Sequence, residues 1–305
     1  MMNVVVIGAG ALGAYFGIRL SEGGANVTFL VREKRARQIE ENKLAVKSPQ
    51  GDYTIKKPQL ATDAAEIDQA DLVLVCVKGY HLEGTLDNLK KLVDQGAHVL
   101  PVLNGIEHIS YLQDKLGKDA VIGGLSFIIA TLDEQGHVVH SSDFHQLVFG
   151  PLHSTQMPIC KRLDELCKAA NISGKLSGHI LYELWKKYTF INAFSGVTTA
   201  ANLPIGAIRK HNSTFLIVEM ILQEMRTLAK AYHTEIAADD VEAAKTQLLN
   251  LPDEATSSMH QDRRKGLTLE VDHLHGGALR LAKAVGVDMP YTEAVYGLIK
   301  PFENA

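Results

Sequence analysis

The string GAGALG occupies residues 8–13, directly after an apolar, β-branched run at residues 2–7 and directly before a helix-forming stretch at residues 14–22. Gly8, Gly10 and Gly13 fall in the order G-x-G-x-x-G, and the place of that motif between a strand and a helix limits the folds open to the chain. Gly8 permits a tight turn, Gly10 lets the backbone approach a pyrophosphate, and Gly13 lets helix and strand pack closely. The helix that follows offers unpaired N–H groups and a positive dipole end to the same anion. With a second strand at residues 26–31, the chain opens on a βαβ unit, and Gly8, Ala9, Gly10, Ala11, Leu12 and Gly13 read as a dinucleotide-binding loop. The bland alternative is that the glycines only shape a turn.

Further apolar runs at residues 72–77, 98–103 and 120–123 alternate with helix-like segments, the pattern of a mostly parallel sheet buried on both faces. Residues 131–149 change to polar–apolar alternation around a turn at 134–136, expected as antiparallel strands that finish the sheet. A helix near residues 158–170 and a strand near 172–176 close this part. Beyond Ser177 long helical patterns take over, at residues 181–201, 214–232, 238–249, 267–285 and 292–300, with Gly286 and Pro290 as stop signals between the last two. The length of 305 residues favours two cores over one. The expected architecture is an α/β, Rossmann-like dinucleotide-binding domain over residues 1–177, followed by an all-α domain over residues 178–305.

A formal net charge of -4 supplies no general electrostatic reason to bind nucleic acid or an anionic membrane surface, so nucleic acid is disfavoured as the main partner. Cys76, Cys160 and Cys167 form no framework, which suits reduced thiols in a cytoplasmic protein. No secretory leader is recognisable, and no apolar stretch is long and charge-free enough to span a bilayer. The histidines form no H-E-x-x-H, and His273 and His275 lie two apart on a predicted helix, facing different ways, so no metal site is expected. A helical second domain leaves a homodimer open, without an apolar patch that sequence certifies.

At the end of the second strand NAD-binding versions of the motif carry an acidic residue for the ribose 2′-hydroxyl. Here Arg32 stands there, with Lys34 and Arg35 close behind, a cluster suited to the 2′-phosphate of NADP or, more plainly, a set of solvated loop charges. Lys78 and Asn104 follow two other apolar runs, at strand ends where open α/β sheets bind ligands, although a strand-end lysine and an Asn-Gly turn need no ligand. Hydride transfer to a carbonyl requires a proton donor near the oxygen. In ELWKKYTFINAFSG, Lys187 shares its helix face with Phe190, Ile191 and Phe194, which would desolvate its ammonium and lower its pKa; snorkelling to water is the competing reading. Glu270, in TLEVDHLHGG, suits either a surface or an inward position. Ser257 and Ser258 are N-cap candidates or anion-binding hydroxyls.

IGAGALGAYFG, Arg32, VCVK ending in Lys78, LNG with Asn104, ELWKK with Lys187, SSM with Ser258 and TLEVDHLHGG with Glu270 occur in an order and spacing that resemble the ketopantoate (2-dehydropantoate) reductase family over essentially the whole chain. The resemblance implies a Rossmann-like domain, an all-helical domain and an active site in the cleft between them. It implies Lys187 as general acid, with Glu270 organising the lysine, the nicotinamide ribose and the substrate. Lys78, Asn104 and Ala130 resemble NADP(H) contacts, and Asn104 and Ser258 resemble contacts to the keto acid. The departures fall on the substrate side. Ile191, Ser195 and Ile205 stand where members often carry asparagine. Ser195 and the nearby Asn192 are the remaining polar candidates there, although Asn192 lies about 140° around the helix from Lys187.

Three functions follow as expectations. The first is NADPH-dependent reduction of 2-dehydropantoate to pantoate, a step of pantothenate and coenzyme A biosynthesis. The second is reduction of a different, less polar 2-keto acid, because lost polar ligands change affinity or preference. The third is a protein that senses NADPH or a metabolite without turnover, against which an intact lysine and glutamate count.

Overall fold

A computed structural model describes residues 1–304. The chain gathers into two compact units, one of Met1–Leu103 with His108–Ile180, the other of Asn104–Glu107 with Leu181–Ala305.

In the first unit β1 (Asn3–Ile7), α1 (Ala11–Glu22), β2 (Asn26–Leu30) and α2 (Glu33–Asn42) follow one another as the glycine motif requires. Then come β3 (Leu44–Lys47), β4 (Tyr53–Ile55), β5 (Gln59–Ala61), β6 (Leu72–Val75), α3 (Leu86–Asp94), β7 (His98–Pro101) and α4 (Glu107–Leu116). The unit finishes with β8 (Gly123–Leu132), β9 (Val138–Gly150), α5 (Met157–Ala169) and β10 (Ser173–Leu176). Five strands form a parallel sheet in the order β5-β2-β1-β6-β7. The chain builds outward from β1 to β5, then returns to lay β6 and β7 on the other side of β1. That reversal is the switch point at whose carboxyl end such sheets bind ligands.

The apolar runs are continuous because successive residues feed different cores. Val4, Val6, Leu72, Leu74 and Leu100 enter one cluster with Tyr15, Phe16, Ile18 and Leu20 of α1. Val5, Ile7, Val73, Val75 and Val99 enter another with Leu89, Leu92 and Leu112. Each such side chain contributes about 1.5–3 kcal/mol on full burial, so a polar residue in either register is excluded.

The expected antiparallel strands exist but do not finish this sheet. β8 and β9 pair antiparallel in a second sheet of order β10-β9-β3-β4, with β8 on the free side of β9. The run at 120–123 makes only a single parallel bridge, Val99 to Val121, before the chain leaves for that sheet. Val46, Leu147 and Phe149 of the second sheet enter the same core as α1. The helix that carries the glycine loop is therefore buried, with Ala14, Tyr15, Phe16, Ile18, Arg19 and Leu20 all at 0% exposure.

The second unit is helical: α6 (Ile180–Ala201), α7 (Ile205–Arg209), α8 (Asn212–Ala231), α9 (Ala238–Asn250), α10 (Ser258–Arg264), α11 (Gly277–Val285) and α12 (Pro290–Ile299). Leu184, Trp185, Tyr188, Ala193, Phe194 and Val197 are all buried, as befits a core helix apolar on most of its circumference. Gly286 ends α11 at φ +70° and Pro290 opens α12, as their chemistry predicts. Glu224 of α8 caps that opening, its carboxylate accepting from the amides of Tyr291 at 2.8 Å and Thr292 at 2.9 Å. One expectation needs correction. The helix predicted over 267–285 has no helical turn at 267–269; it begins near Val271 with a π-helical turn, Asp272–Gly276, and only then becomes α11.

Among the described residues no helix is long and apolar enough to cross a membrane.

Candidate active site

The glycine loop closes against the end of β6. Gly8 adopts φ +91°, and a Cβ there would lie 2.8 Å from Val77 Cγ1 and 2.9 Å from the carbonyl oxygen of Cys76. At Gly13 a Cβ would lie 2.1 Å from the carbonyl oxygen of Gly8 and 2.9 Å from Cys76 Cβ. Gly10 differs: a Cβ there would meet nothing within 4 Å. It is the exposed N-cap of α1, and its residue supplies no side-chain cap. The first-turn amides of α1, beginning at Ala11 and Leu12, have no intrahelical acceptor by the geometry of the helix. The loop thus presents donors and open space where a pyrophosphate would lie, so it fits a dinucleotide on steric and electrostatic grounds.

Arg35 braces this loop. Its Nε donates to the Ala9 carbonyl at 2.9 Å, Nη1 to Gln38 Oε1 at 2.6 Å, and Nη2 to the Gly136 carbonyl at 2.8 Å. It is consequently not a free member of the cationic cluster read from the sequence, because each guanidinium nitrogen already holds a protein acceptor. Arg32 and Lys34 remain exposed, Arg32 as the N-cap of α2. Lys78 is half-buried at the head of the 3-10 turn Gly79–His81, and Ala130 is half-buried on β8, opposite His140. Cys76, Cys160 and Cys167 are free thiols. Burial pushes all three up, to about 11 for Cys160 and about 12 for Cys167, away from thiolate chemistry.

In the helical unit Lys187 is half-buried on α6, and desolvation pushes its ammonium down to about 8, with Glu270 opposing that shift. Glu270 is 5% exposed and sits immediately before the helical segment whose first bond runs from the Leu274 amide to the Glu270 carbonyl at 2.9 Å. Further along the same helix the rings of Phe190 and Phe194 lie 5.8 Å apart.

The same unit contains Asn104, half-buried, whose carbonyl accepts from His273 Nε2 at 2.8 Å. Next to it Gly105 takes φ +86°, a left-handed conformation that favours glycine. Glu107 receives Arg280 in a two-pronged pair, Nε to Oε1 at 2.8 Å and Nη2 to Oε2 at 2.7 Å. Arg280 reaches on to Asp272, which also accepts from Tyr296 at 3.0 Å. Tyr188, beside Lys187, donates to the Leu274 carbonyl. The π-helical turn is thus pinned from several sides, and it pins the Asn104 segment in return. Sequence reasoning missed Tyr188, His273 and Arg280; their only signals are adjacency to Lys187 and the density of polar residues in TLEVDHLHGG.

The substrate-side candidates divide. Ser258 is exposed at the start of α10, whereas Ser257 is buried as its N-cap, accepting from the His260 amide at 3.1 Å. Ser195, 1% exposed, donates to Ser257 Oγ at 3.1 Å, and Asn192 is 0% exposed, with the His275 ring donating to its carbonyl at 3.0 Å. Ile191 is half-buried and Ile205 fully buried. Among the described residues no group of three His, Cys, Asp or Glu side chains could hold a metal ion.

Family models described as ketopantoate reductase PanE/ApbA match residues 4–154, and its C-terminal part matches residues 179–303. The chain belongs to the ketopantoate reductase family. It is therefore an oxidoreductase of the 2-dehydropantoate 2-reductase type. This ketopantoate reductase family member is 33% identical to an uncharacterized oxidoreductase of Bacillus subtilis over 302 residues, 99% of each chain. It is 26% identical to a 2-dehydropantoate 2-reductase of Nostoc, covering 97% of this chain and 93% of that one. The crystal structure of 2-dehydropantoate 2-reductase from Geobacter metallireducens matches with a TM-score of 0.89 at 26% identity, over 98% of this chain and 99% of the other. D-mandelate dehydrogenase shares the fold at a TM-score of 0.89 and 23% identity, over 99% and 98%.

Proposed function

We propose that this protein reduces 2-dehydropantoate to pantoate with NADPH, a step toward pantothenate and coenzyme A, and that Lys187 delivers the proton. The observation that supports this most directly is that one compact unit holds a desolvated lysine on α6 and, just ahead of the π-helical turn, a buried glutamate whose charge acts on it. A lysine near 8 is protonated at neutral pH, yet gives up its proton far more readily than a solvated one. Glu270 keeps the ammonium charged despite its apolar surroundings. A reduced nicotinamide, when bound, supplies the hydride to the keto carbon. The residues assigned to hold that cofactor are the Gly8–Gly13 loop with Ala9, Ala11 and Leu12 for the pyrophosphate, Arg32 for the 2′-phosphate, and Lys78, Asn104 and Ala130 for the remainder. Ser258 is assigned to the substrate carboxylate.

A second reading changes the substrate and keeps the chemistry. Ile191 stands one helical turn after Lys187, and the Ser195 hydroxyl is engaged with Ser257, so this face of α6 offers little to the hydroxyl of 2-dehydropantoate. That favours a less polar 2-keto acid.

The test is oxidation of NADPH and NADH, side by side, over a panel of 2-keto acids with and without a hydroxyl. The first reading expects the best kcat/KM with 2-dehydropantoate and NADPH. Equal or better turnover of 2-oxoisovalerate, which lacks the hydroxyl, discards it for the second. Tight NADPH binding with no turnover of any keto acid discards both in favour of a sensor.

A further inference from the structure

At the carboxyl end of the parallel sheet two bases face each other with no acid between them. Arg32 follows β2 and His81 closes the 3-10 turn that follows β6. Both are exposed, and Arg32 Nη2 lies 3.4 Å from His81 Nδ1. A guanidinium is always charged and only donates, so in this pairing Nδ1 must be the acceptor and the imidazole neutral. A proton on His81 would set two cations against each other. The groups around the ring are Tyr80, whose ring meets it edge-on at 4.6 Å, Lys78, whose carbonyl accepts the His81 amide at 2.8 Å, and Glu83 on the following turn. On the α2 side stand Glu33 and Lys34, and the Glu33 carboxylate is paired with Arg37 at 3.2 Å, one turn along the same helix. Burial and Arg32 both hold the imidazole below its ordinary range.

We propose that His81 and Arg32 together form the seat of the cofactor's 2′-phosphate, and that His81 takes up a proton when the phosphate arrives. This rests on the NADPH reading. A phosphate monoester carries close to two negative charges at neutral pH, enough for a guanidinium and an imidazolium at once. The anion converts the repulsion between the two bases into a shared attraction, and because the proton enters with the ligand, affinity rises as pH falls. NADH, lacking the phosphate, recruits neither charge. The preference for NADPH over NADH is thus set by pH as well as by Arg32.

The experiment measures Kd for NADPH and NADH by fluorescence at fixed ionic strength from pH 5.5 to 9, in the intact protein and in His81→Gln and Arg32→Gln. Wild type is expected to bind NADPH about three- to tenfold more tightly at pH 6.5 than at pH 8.5, up to one pKa unit of linkage, while NADH stays flat. Below about pH 6 the phosphate itself protonates and the gain reverses. His81→Gln should lose the rise and keep the fall. In parallel, the imidazole of His81, followed by NMR, should titrate at higher pH in the presence of adenosine 2′-phosphate than in its absence. An unchanged pH slope in His81→Gln, or an NMR titration that the nucleotide does not move, overturns the proposal. Loss of the NADPH preference in Arg32→Gln beside an intact slope in His81→Gln is one form of that overturning result, with the phosphate left to Arg32 alone. If wild type shows no NADPH preference at any pH, the NADPH reading fails with it.

Discussion

In the proposed reaction Lys187 must be acidic enough to give up a proton and basic enough to hold one until needed. Two influences act on its ammonium: desolvation, which lowers its pKa, and Glu270, which resists the lowering. Reduction requires the protonated form, so kcat/KM should be level below pH 8 and fall tenfold per unit above it. Removing the negative charge in Glu270→Gln removes the resistance, and the falling limb should then move to lower pH, as a pH–rate profile would show. Lys187→Ala should lower kcat by about 10²–10⁴ with the dinucleotide Kd unchanged, a range typical of a positioned general acid. An unaltered rate would end the role assigned to the lysine. Its desolvation was legible from Phe190, Ile191 and Phe194, because helical spacing fixes which side chains share a face. The inward aim of Glu270 was not, because that depends on where a non-helical segment ends.

At the scale of elements, the glycine loop separates folding from binding. Gly13→Ala forces a methyl group to within 2.1 Å of the Gly8 carbonyl, so it should lower the melting temperature markedly. Gly10→Ala meets no atom within 4 Å, and its melting temperature should stay within a degree or two, as for a neutral surface change of under about 0.5 kcal/mol. In the proposed cofactor site its added methyl group meets the pyrophosphate, so titration should show dinucleotide affinity reduced about tenfold or more, roughly 1.4 kcal/mol. Retained affinity in Gly10→Ala would remove the loop from the cofactor site. The βαβ start could be read directly, since motif, strand and helix are contiguous. The second sheet could not: β3 and β4 are only 4 and 3 residues long, and pairing of β3 with the distant β9 leaves no local trace. The π-helical turn was equally hidden, because the contacts that hold it, from Tyr188 and Arg280 and through His273, are tertiary.

For the whole molecule, the division into two units was visible as a change of periodicity after the strand run, and the chain passes into the helical unit after Ile180. Membership of Asn104–Glu107 in that unit was not visible, because it arises from side chains about 170 residues later; both Asn104–His273 and Glu107–Arg280 span such separations. The polypeptide therefore changes units three times: into the helices at 104, out again at 108, and in for good at 181. Halves exchanged between two relatives at residue 180 would leave four residues behind among foreign partners. A hybrid whose graft includes 104–107 with the C-terminal half should outperform one joined by a single cut, in melting temperature and in turnover. Inheritance at this site travels as a pair of fragments, and a single crossover splits what the fold keeps together.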